Sequence, residues 1–171
     1  MRGKEMEKIG KVIICMLCLF ILTGTRVEGA SDILSKTTEE NNINIVIGEG
    51  QDTPNCVYGK DVKITINLIN EGKDDASKVT IAPILDSSTD VFPFEIKKMN
   101  YDKRIDTLPG SSSVADREKR IKTVSYDFTT RKDVKTGYMK VSFLIAYQSP
   151  DGSPHTTSRY MLVTTQCAPV P

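Results

Sequence analysis

The residues of this chain that could carry out chemistry are few and scattered. His155 is the only histidine, and it lies just beyond the turn signal Asp151-Gly152. A catalytic triad or a zinc site built on His155 needs further bases or ligands at defined spacing. The sequence contains no nucleophile elbow, zinc-binding helix or phosphate-binding glycine loop. We therefore expect a protein that is not an enzyme, with no catalytic residue, no cofactor and no metal site. We expect His155 to lie in a solvated loop.

Two groups of carboxylates are the next candidates for a site. Asp74 and Asp75 form one group, and Asp86 and Asp90 form the other, both in predicted loops. Calcium is held by about six to eight oxygen ligands, which two such loops could supply if they met at one end of the fold. The spacing of an EF-hand is absent, so the favoured interpretation is that these acids are solvated.

The cysteines allow two interpretations. Cys15 and Cys18 lie inside an apolar run near the N-terminus, and Cys56 and Cys167 lie in the remainder of the chain. In an oxidising compartment Cys56 and Cys167 could form a disulfide, which for so long a loop contributes about 4–5 kcal/mol in the chain-entropy model. Two free thiols are the other interpretation, and the sequence favours them slightly.

The first thirty residues have the pattern of a secretory signal peptide. A segment with four basic residues precedes an uncharged apolar run, Val12–Leu22, and small residues follow near Gly29 and Ala30. The run is shorter than the roughly 20 residues that span a bilayer, so an uncleaved N-terminal anchor is the less favoured alternative. We predict a signal peptide over 1–30 and a flexible leader over 31–42. The mature protein is then extracytoplasmic, either secreted or held at the cell surface, and meets the membrane only if the signal is retained.

Net charge gives no indication of nucleic-acid binding. The formal charge of +1 falls to about −1 when the five basic and three acidic residues of the first thirty are removed. Binding through phosphates requires a basic patch. The one basic run, Arg117–Lys122, could meet acidic wall polymers or lipid headgroups, but a solvated connection is the favoured interpretation.

Period-two patterns across 43–165 predict a β-structure. The clearest strand is Val62–Ile69, and Tyr138–Tyr147 with Thr156–Val163 forms a hairpin around the Asp151-Gly152 turn. Residues 97–120 show no clear pattern beyond one short helical turn near their end. About seven short strands without a convincing helix indicate an all-β, antiparallel immunoglobulin-like sandwich, followed by a loose tail over 166–171. The remaining predicted strands are Ile43–Ile47, Lys78–Leu85, Val91–Ile96 and Ile121–Phe128.

These residues also resemble a known family. Gly59, Asn70-Glu71-Gly72, Ala76 and Val79 follow the opening pattern of bacterial immunoglobulin-like modules of the CARDB and S-layer-associated type. The run Lys132–Tyr147, which contains Gly137, followed by Asp151-Gly152, is similar to the second half of such modules. The resemblance implies an immunoglobulin-like fold and a role as spacer, adhesin or accessory domain. In addition, we expect Asn70 and Gly72 to adopt the left-handed backbone conformations of a tight turn.

The predicted function is a non-catalytic module of the cell envelope that mediates protein–protein interaction, adhesion or spacing. Its expected partner is another envelope or membrane protein, bound through end loops or through a sheet edge at the Pro83 strand or at Val91–Ile96. One alternative is an accessory component of a membrane transporter, held by an uncleaved N-terminal helix. The other is a carbohydrate-binding accessory module. The absence of tryptophan opposes the latter. Among the tyrosines, Tyr58 and Tyr101 are the surface candidates, and four are predicted to pack within or across strands: Tyr126, Tyr138, Tyr147 and Tyr160.

Overall fold

The structure is a computed structural model that describes residues 42–167. The predicted signal peptide, nearly all of the predicted leader and most of the predicted tail lie outside these residues. Eight strands and one short helix follow one another along the described part of the chain. They are β1 (Ile45–Ile47), β2 (Asn55–Val57), β3 (Asp61–Asn70), β4 (Ala76–Pro83), β5 (Lys103–Leu108), α1 (Arg117–Arg120), β6 (Lys122–Thr129), β7 (Gly137–Gln148) and β8 (Pro154–Gln166).

The strands form two sheets, as the sequence predicts for a β-sandwich. One sheet has three strands in the order β1-β3-β6, and the other has five in the order β2-β8-β7-β4-β5. Neighbouring strands are antiparallel except β2, which runs parallel to β8. The immunoglobulin-like all-β fold class is therefore confirmed. The free edges of the two sheets are β1, β6, β2 and β5.

Alternation along the strands builds the core between the sheets. Ile64, Ile66 and Leu68 of β3 face inward from one sheet, and Phe143 and Ile145 of β7 face inward from the other. Burying each such side chain contributes about 1.5–3 kcal/mol. An aromatic cluster closes the core around Phe128, whose ring centroid lies 4.5–5.6 Å from four neighbouring rings. Those four rings belong to Phe92, Phe94, Tyr101 and Tyr126.

The β7–β8 hairpin is confirmed as predicted, with paired residues from Gly137↔Thr165 to Gln148↔Pro154. Ser149 and Ser153 close the turn through a backbone hydrogen bond of 3.0 Å. Gly152 has a φ of +85°, a conformation that costs a residue with a side chain about 1–2 kcal/mol. The Asp151 carboxylate accepts hydrogen bonds from the Ser153 backbone N–H and hydroxyl, which explains why this pair of residues marks the turn.

Two of the predicted strands are corrected by the structure. The strand that contains Pro83 is not an edge, because β4 lies between β7 and β5. Ile84 donates its N–H toward β7, so the neighbouring proline nitrogen points to the other side, where the β4–β5 pairing has already ended at Ile81. The segment Val91–Ile96 is not a strand and forms one isolated bridge, Phe94↔Thr130.

Two strands were missed, and the short helical turn is confirmed. β2 has three residues, and β5 carries charged or polar side chains at four of its six positions, all except Ile105 and Leu108, so neither shows a period-two pattern. The helix α1 is capped by Asp116, whose side chain accepts from the Glu118 backbone N–H at 3.1 Å. Within residues 42–167 no helix is long and apolar enough to cross a bilayer.

Asn70 and Gly72 form the junction between β3 and the β3–β4 turn, but for a different reason than the one predicted. Neither has a left-handed backbone. Gly72 is required because a Cβ there would lie 1.8 Å from the Asn42 backbone oxygen. Asn70 is fully buried, and its side-chain amide accepts from the backbone N–H groups of Asn44 and Gly72 and donates to two backbone carbonyls.

The basic run after this junction is not the solvated connection that was expected. Arg120 is buried, and its guanidinium donates to the Asn70 carbonyl at 2.5 Å and lies 3.6 Å from the Glu71 carboxylate. Arg117 donates to the same carboxylate at 2.6 Å and pairs with Glu49 at 2.8 Å. These contacts tie α1 to the β1–β2 loop and to the β3–β4 turn, so this run has a structural role.

Candidate functional site: the outer face of the five-stranded sheet

The two sheets differ in what their outer faces present to solvent. β3 and β6 carry Lys63, Thr65, Thr123 and Asp127 on the outer face of the three-stranded sheet. The five-stranded sheet instead exposes large apolar side chains. Of the eight exposed large hydrophobic residues in the described part of the chain, five lie on this face. We call them the apolar patch: Ile84, Tyr138, Leu144, Tyr160 and Leu162.

Strand register places the apolar patch around one small residue, Ser142. Tyr160 lies directly across from Ser142 on β8, and Ile84 donates its backbone N–H to the Ser142 carbonyl from the β4 side. Leu144 is two residues further along β7, on the same face. Because neighbouring strands lie about 4.8 Å apart, these side chains surround the Ser142 hydroxymethyl group closely.

Lys140 lies at the border of the apolar patch. Its Nζ is 4.6 Å from the centroid of the Tyr160 ring, a cation–π contact. It is also directly across the hairpin from Leu162. One face of the Tyr160 ring is thus occupied by a cation, whereas Tyr138 is 74% exposed.

The size of the apolar patch matches the centre of a protein interface. With side chains of this type at 39–74% exposure, the patch presents about 500 Å² of accessible surface. Interfaces of standard size bury about 800 Å² on each partner, with an apolar centre and a polar rim. The patch with its surrounding serines, threonines and lysines is therefore large enough for a stable protein complex.

A bulge in β4 shapes the end of this face. The register between β4 and β7 shifts between Ser77 and Thr80, and Lys78 has a φ of +50°, the only positive φ of a residue other than glycine in the described chain. Such a conformation costs about 1–3 kcal/mol unless the surroundings enforce it. Lys78 separates two grooves of about 320 and 460 Å³. The smaller lies against Arg104 and Asp106 on β5, and the larger lies against Gln148 and Thr156 on the hairpin.

A third groove continues the apolar patch beyond the sheet. It has a volume of about 250 Å³ and lies between Tyr160 and Leu162 on one side and the β1–β2 loop on the other. Gln51 and Asp52 supply its polar wall. Gln51 is held in place because its side chain exchanges hydrogen bonds of 2.7 and 2.8 Å with the backbone of β3.

His155 lies at the start of β8 and is half-buried, which corrects the expectation of a solvated loop residue. Its ring stacks on Tyr147 at 5.3 Å, and its Nε2 lies 2.9 Å from the Ser149 hydroxyl. That hydroxyl also hydrogen-bonds Asp151, so the order is Asp–Ser–His. In a triad the histidine lies between the acid and the nucleophile. Ser149 therefore bridges two polar groups of a turn and lacks the arrangement of an activated nucleophile.

Hydrogen bonds also account for the charge state of Asp151. The Ser149 hydroxyl, followed by the Ser153 backbone N–H and hydroxyl, lowers the pKa of Asp151 to about 2. Each of these donors binds the ionised form better than the neutral form. The ionised Asp151 carboxylate thus stabilises the turn between β7 and β8.

The predicted carboxylate groups do not meet. Asp74 and Asp75 precede β4 whereas Asp86 and Asp90 follow it, so they lie at opposite ends of the sandwich. Asp90 pairs with Lys135 at 2.9 Å, and Asp75 accepts from the Gly110 backbone N–H at 2.8 Å. Among residues 42–167, no three histidine, cysteine, aspartate or glutamate side chains are grouped so as to hold a metal ion.

Cys56 and Cys167 are free thiols in the structure. Cys56 is buried in the core beside β8, where its partner in the parallel register is Thr165, and Cys167 is exposed just beyond that strand. Burial raises the pKa of the Cys56 thiol to about 11. A thiol of this kind is a poor nucleophile.

The predictions for the aromatic residues are partly wrong. Tyr101, expected at the surface, is buried against Phe128, and Tyr58 is half-buried with its hydroxyl 2.6 Å from that of Thr136. Tyr126 is in the core as predicted, but Tyr138 and Tyr160 point to solvent. The signal that sequence reasoning missed is that β7 and β8 carry apolar residues on both faces, at even as well as odd positions.

Comparison with known proteins gives similarity of fold at a low level. No family model matches the chain, and no curated protein matches its sequence. The ASH/PapD-like domain of human CEP192 (PapD-like domain 7) is similar over 77% of this chain and 91% of that chain, with 16% identity and a TM-score of 0.41. Spo0M, a sporulation control protein from Bacillus subtilis, is similar over 75% of this chain and 50% of that chain, with 12% identity and a TM-score of 0.33. The resemblance to CARDB and S-layer-associated modules therefore stays a prediction.

Proposed function

We propose that this chain is an exported, non-catalytic module of the cell envelope that recognises another protein through the outer face of its five-stranded sheet. One observation carries the proposal: five of the eight exposed large hydrophobic side chains within residues 42–167 are gathered on that face. The largest apolar patch on a monomeric protein is typically about 300–600 Å² and often marks a functional surface.

Folding alone gives no reason for the apolar patch. The outer face of the other sheet shows that this sandwich tolerates polar side chains such as Thr65 at equivalent positions. Leu144 and Tyr160 contribute nothing to the core, which is filled from the opposite side of the same strands by Phe143 and Met161. A partner that covers the exposed part of these side chains would remove further apolar surface from water, which favours the complex.

Sugar binding is less well supported than protein binding. A sugar ring stacks on a free aromatic face, and Lys140 already occupies one face of Tyr160. Tyr138 is two rows away along the hairpin, beside Thr164. The role as transporter accessory depends on an N-terminal segment that lies outside the described residues. Whether that segment is cleaved or retained distinguishes this role from that of an exported envelope module.

A photo-crosslinking amino acid placed at Ser142 tests the proposal in cells that express the full chain. We expect a discrete protein adduct from Ser142 and none from the same probe at Thr65 on the other sheet. Leu144→Arg should remove the adduct, whereas Thr65→Arg should not. Equal adducts from both faces, or an adduct indifferent to Leu144→Arg, contradicts this use of the face.

Export is tested separately by the intact mass and the fractionation of the natively expressed protein. Cleavage near Ala30 with recovery outside the cytoplasm supports an exported module. A full-length chain retained in the membrane favours the transporter accessory.

A further inference from the structure

The outer edge of β6 is one of the four free edges of the two sheets. Main-chain groups alternate between the two sides of a β-strand. One residue beyond β6, the Thr130 N–H donates to the Lys60 carbonyl on the β3 side at 2.9 Å. The Thr129 carbonyl points to the outer side, where it accepts from the Glu95 N–H at 2.9 Å. The same alternation directs outward the N–H and C=O groups of three further residues, which we call the open edge: Thr123, Ser125 and Asp127.

The open edge is accessible to a binding partner. Within residues 42–167, no hydrogen bond reaches its three N–H and three C=O groups. Thr123 and Asp127 are exposed, and Ser125 is half-buried. The pairing of β6 with β3 shows no register shift, so these groups follow one another regularly along the strand. From Thr123 to Asp127 the open edge spans five residues, about 17 Å at the rise of a strand.

The other three free edges carry features that oppose pairing with a further strand. β1 and β2 have three residues each, and Arg159 donates to the Ile45 carbonyl of β1 at 2.7 Å. β5 carries the charged residues Lys103, Arg104 and Asp106. The open edge of β6 has no proline, no bulge and a single charged side chain, that of Asp127. Main-chain groups presented in this way suit the addition of a strand from a partner.

The segment between β4 and β5 closes the edge of β6 beyond Asp127. Phe94 forms a bridge with Thr130, and the Arg131 N–H donates to the Pro93 carbonyl at 2.9 Å. This segment therefore occupies the position in which an added strand would continue past Thr129. An added strand can pair along the open edge, but it must end or turn away opposite Asp127.

The same segment places apolar side chains at the closed end of the open edge. Ile96 directly follows the residue that bonds Thr129, and it is 45% exposed, whereas Met99 is 95% exposed. The Lys97 N–H donates to the Tyr101 hydroxyl at 3.1 Å, and the Tyr101 ring packs on Phe128 of β6, which holds this loop against the strand. Within residues 42–167, the exposed large hydrophobic residues outside the apolar patch are Ile96, Met99 and Val91.

We infer that β6 accepts an extended segment of a different protein as an additional strand. The segment pairs about five residues with the open edge and has no proline where its N–H must donate. It ends or turns away opposite Asp127 and places an apolar side chain beside Ile96 and Met99. The open edge belongs to the three-stranded sheet and the apolar patch to the five-stranded one, so strand addition goes beyond the proposed function and does not depend on it.

A second copy of β6 is a poorer match for the open edge. Two copies paired antiparallel about Ser125 would satisfy all the outward groups of both strands. In that register, however, Ile121 of one copy lies opposite Thr129 of the other, where Glu95 is already bonded. Ile121 cannot readily turn away, because the helix α1 directly before it is held by Arg120. A free extended segment has no such restriction.

A photo-crosslinking amino acid at Asp127, in cells that express the full chain, captures a protein bound at the open edge. Ser125→Pro removes an outward N–H and leaves the N–H groups that pair with β3 in place. We expect it to lower the adduct yield about tenfold or more, because a partner carbonyl loses its donor. Ser125→Ala is the matched control, since it removes the hydroxyl and keeps the N–H, and it should leave the yield unchanged.

A second pair of variants tests the apolar end of the open edge and keeps the test decisive if Ser125→Pro does not fold. Ile96→Asp should lower the adduct yield about threefold to tenfold, because an apolar contact with the partner is lost. Val91→Asp is the control, at a position of similar exposure, 43% against 45%, further from the open edge. Urea unfolding of all four variants checks that the domain remains folded.

Hydrogen exchange then tests the main-chain pairing itself. A synthetic peptide with the sequence of the crosslinked stretch is added to the purified full chain. We expect exchange at the amides of Thr123, Ser125 and Asp127 to slow about tenfold or more, because they pass from solvent into hydrogen bonds. The amides of Val124 and Tyr126 already pair with β3 and serve as internal controls.

Several outcomes would overturn strand addition by a different protein. Absence of an adduct at Asp127 does so, as does an adduct that both Ser125→Pro and Ile96→Asp leave unchanged. A peptide that does not slow the three alternate amides does so as well. Adducts between two copies, or between Asp127 and residues 31–41 of the same chain, assign the open edge to this protein itself. The adduct at Ser142 is scored separately, so failure at the open edge is distinguishable from failure of the proposed function.

Discussion

Replacement of Asn70 by alanine should destabilise the domain more than any other single polar substitution in β3. The Asn70 side chain makes four hydrogen bonds, all to the backbone. It accepts from Asn44 at 3.1 Å and Gly72 at 3.0 Å, and donates to Asp74 at 2.7 Å and Leu108 at 3.3 Å. These four residues belong to the start of β1, the β3–β4 turn and the end of β5. One amide therefore links three segments of the chain.

The magnitude follows from which groups lose their partner inside the protein. The Leu108 carbonyl contact is buried, and leaving such a group unsatisfied costs about 1–3 kcal/mol. The other three contacts are only partly buried, so water can replace the amide, and each is worth about 0.5–1.5 kcal/mol. The sum is about 5 kcal/mol, a large fraction of the roughly 5–15 kcal/mol that stabilises a typical domain.

Urea unfolding followed by far-ultraviolet circular dichroism measures this loss. With a slope near 2 kcal/mol per molar urea, Asn70→Ala should lower the midpoint by about 2.5 M. Asn67→Ala is the control on the same strand, because it removes one exposed hydrogen bond of 3.0 Å from Thr123 and should shift the midpoint by about 0.3 M. If Asn70→Ala does not fold, Asn70→Ser, which can retain the turn contact to Gly72, should give an intermediate loss. Equal midpoints for the Asn70 and Asn67 variants refute the assignment of Asn70 as the junction.

Further predictions concern Gly72 in the β3–β4 turn, the thiols of Cys56 and Cys167, and the loss of stability at acid pH that Asp151 causes. Gly72→Ala should cost several kcal/mol in urea unfolding because its Cβ would overlap a backbone oxygen at 1.8 Å, whereas Gly50→Ala, with open space but a φ of +69°, should cost about 1–2 kcal/mol. Iodoacetamide should modify Cys167 rapidly and Cys56 only after unfolding. Because the pKa of folded Cys56 is raised from 9.0 to about 11, its contribution to stability should be complete below pH 9 and lost as the pH rises toward 11, a loss absent in Cys56→Ala. The pKa of Asp151 is lowered to about 2, so its contribution should be present above pH 4 and lost as the pH falls toward 2, which carboxyl chemical shifts will follow; a midpoint near 4 contradicts the hydrogen bonds assigned to it.

The fold class was predictable because the strands at the centre of the sheets alternate clearly. β3 is polar on one face and apolar on the other, and the β7–β8 hairpin has its turn type fixed by Asp151 and Gly152. β5 could not be found in the same way. It is an edge strand exposed at most of its positions, and its residues Lys103, Arg104 and Asp106 suit an exposed edge and leave no hydrophobic period.

The site was harder to predict than the fold because alternation shows which residues share a face but not which face is covered. Tyr101 lies in a segment without strand periodicity and still reaches the aromatic cluster, so only tertiary structure places it in the core. Lys78 lies on the candidate face because of a bulge in β4, and the residue types of β4 do not predict that bulge. Both positions depend on how segments distant in sequence pack.

The hairpin nevertheless contained a usable signal. On β7 the odd positions Phe143 and Ile145 fill the core, yet the even positions include Tyr138 and Leu144. A strand that borders solvent on one side needs apolar residues on one face only, as β3 shows. Apolar residues on the second face stay about half exposed in the isolated domain and increase the risk of aggregation. Their presence on two adjacent strands is therefore best explained by a partner that covers this face.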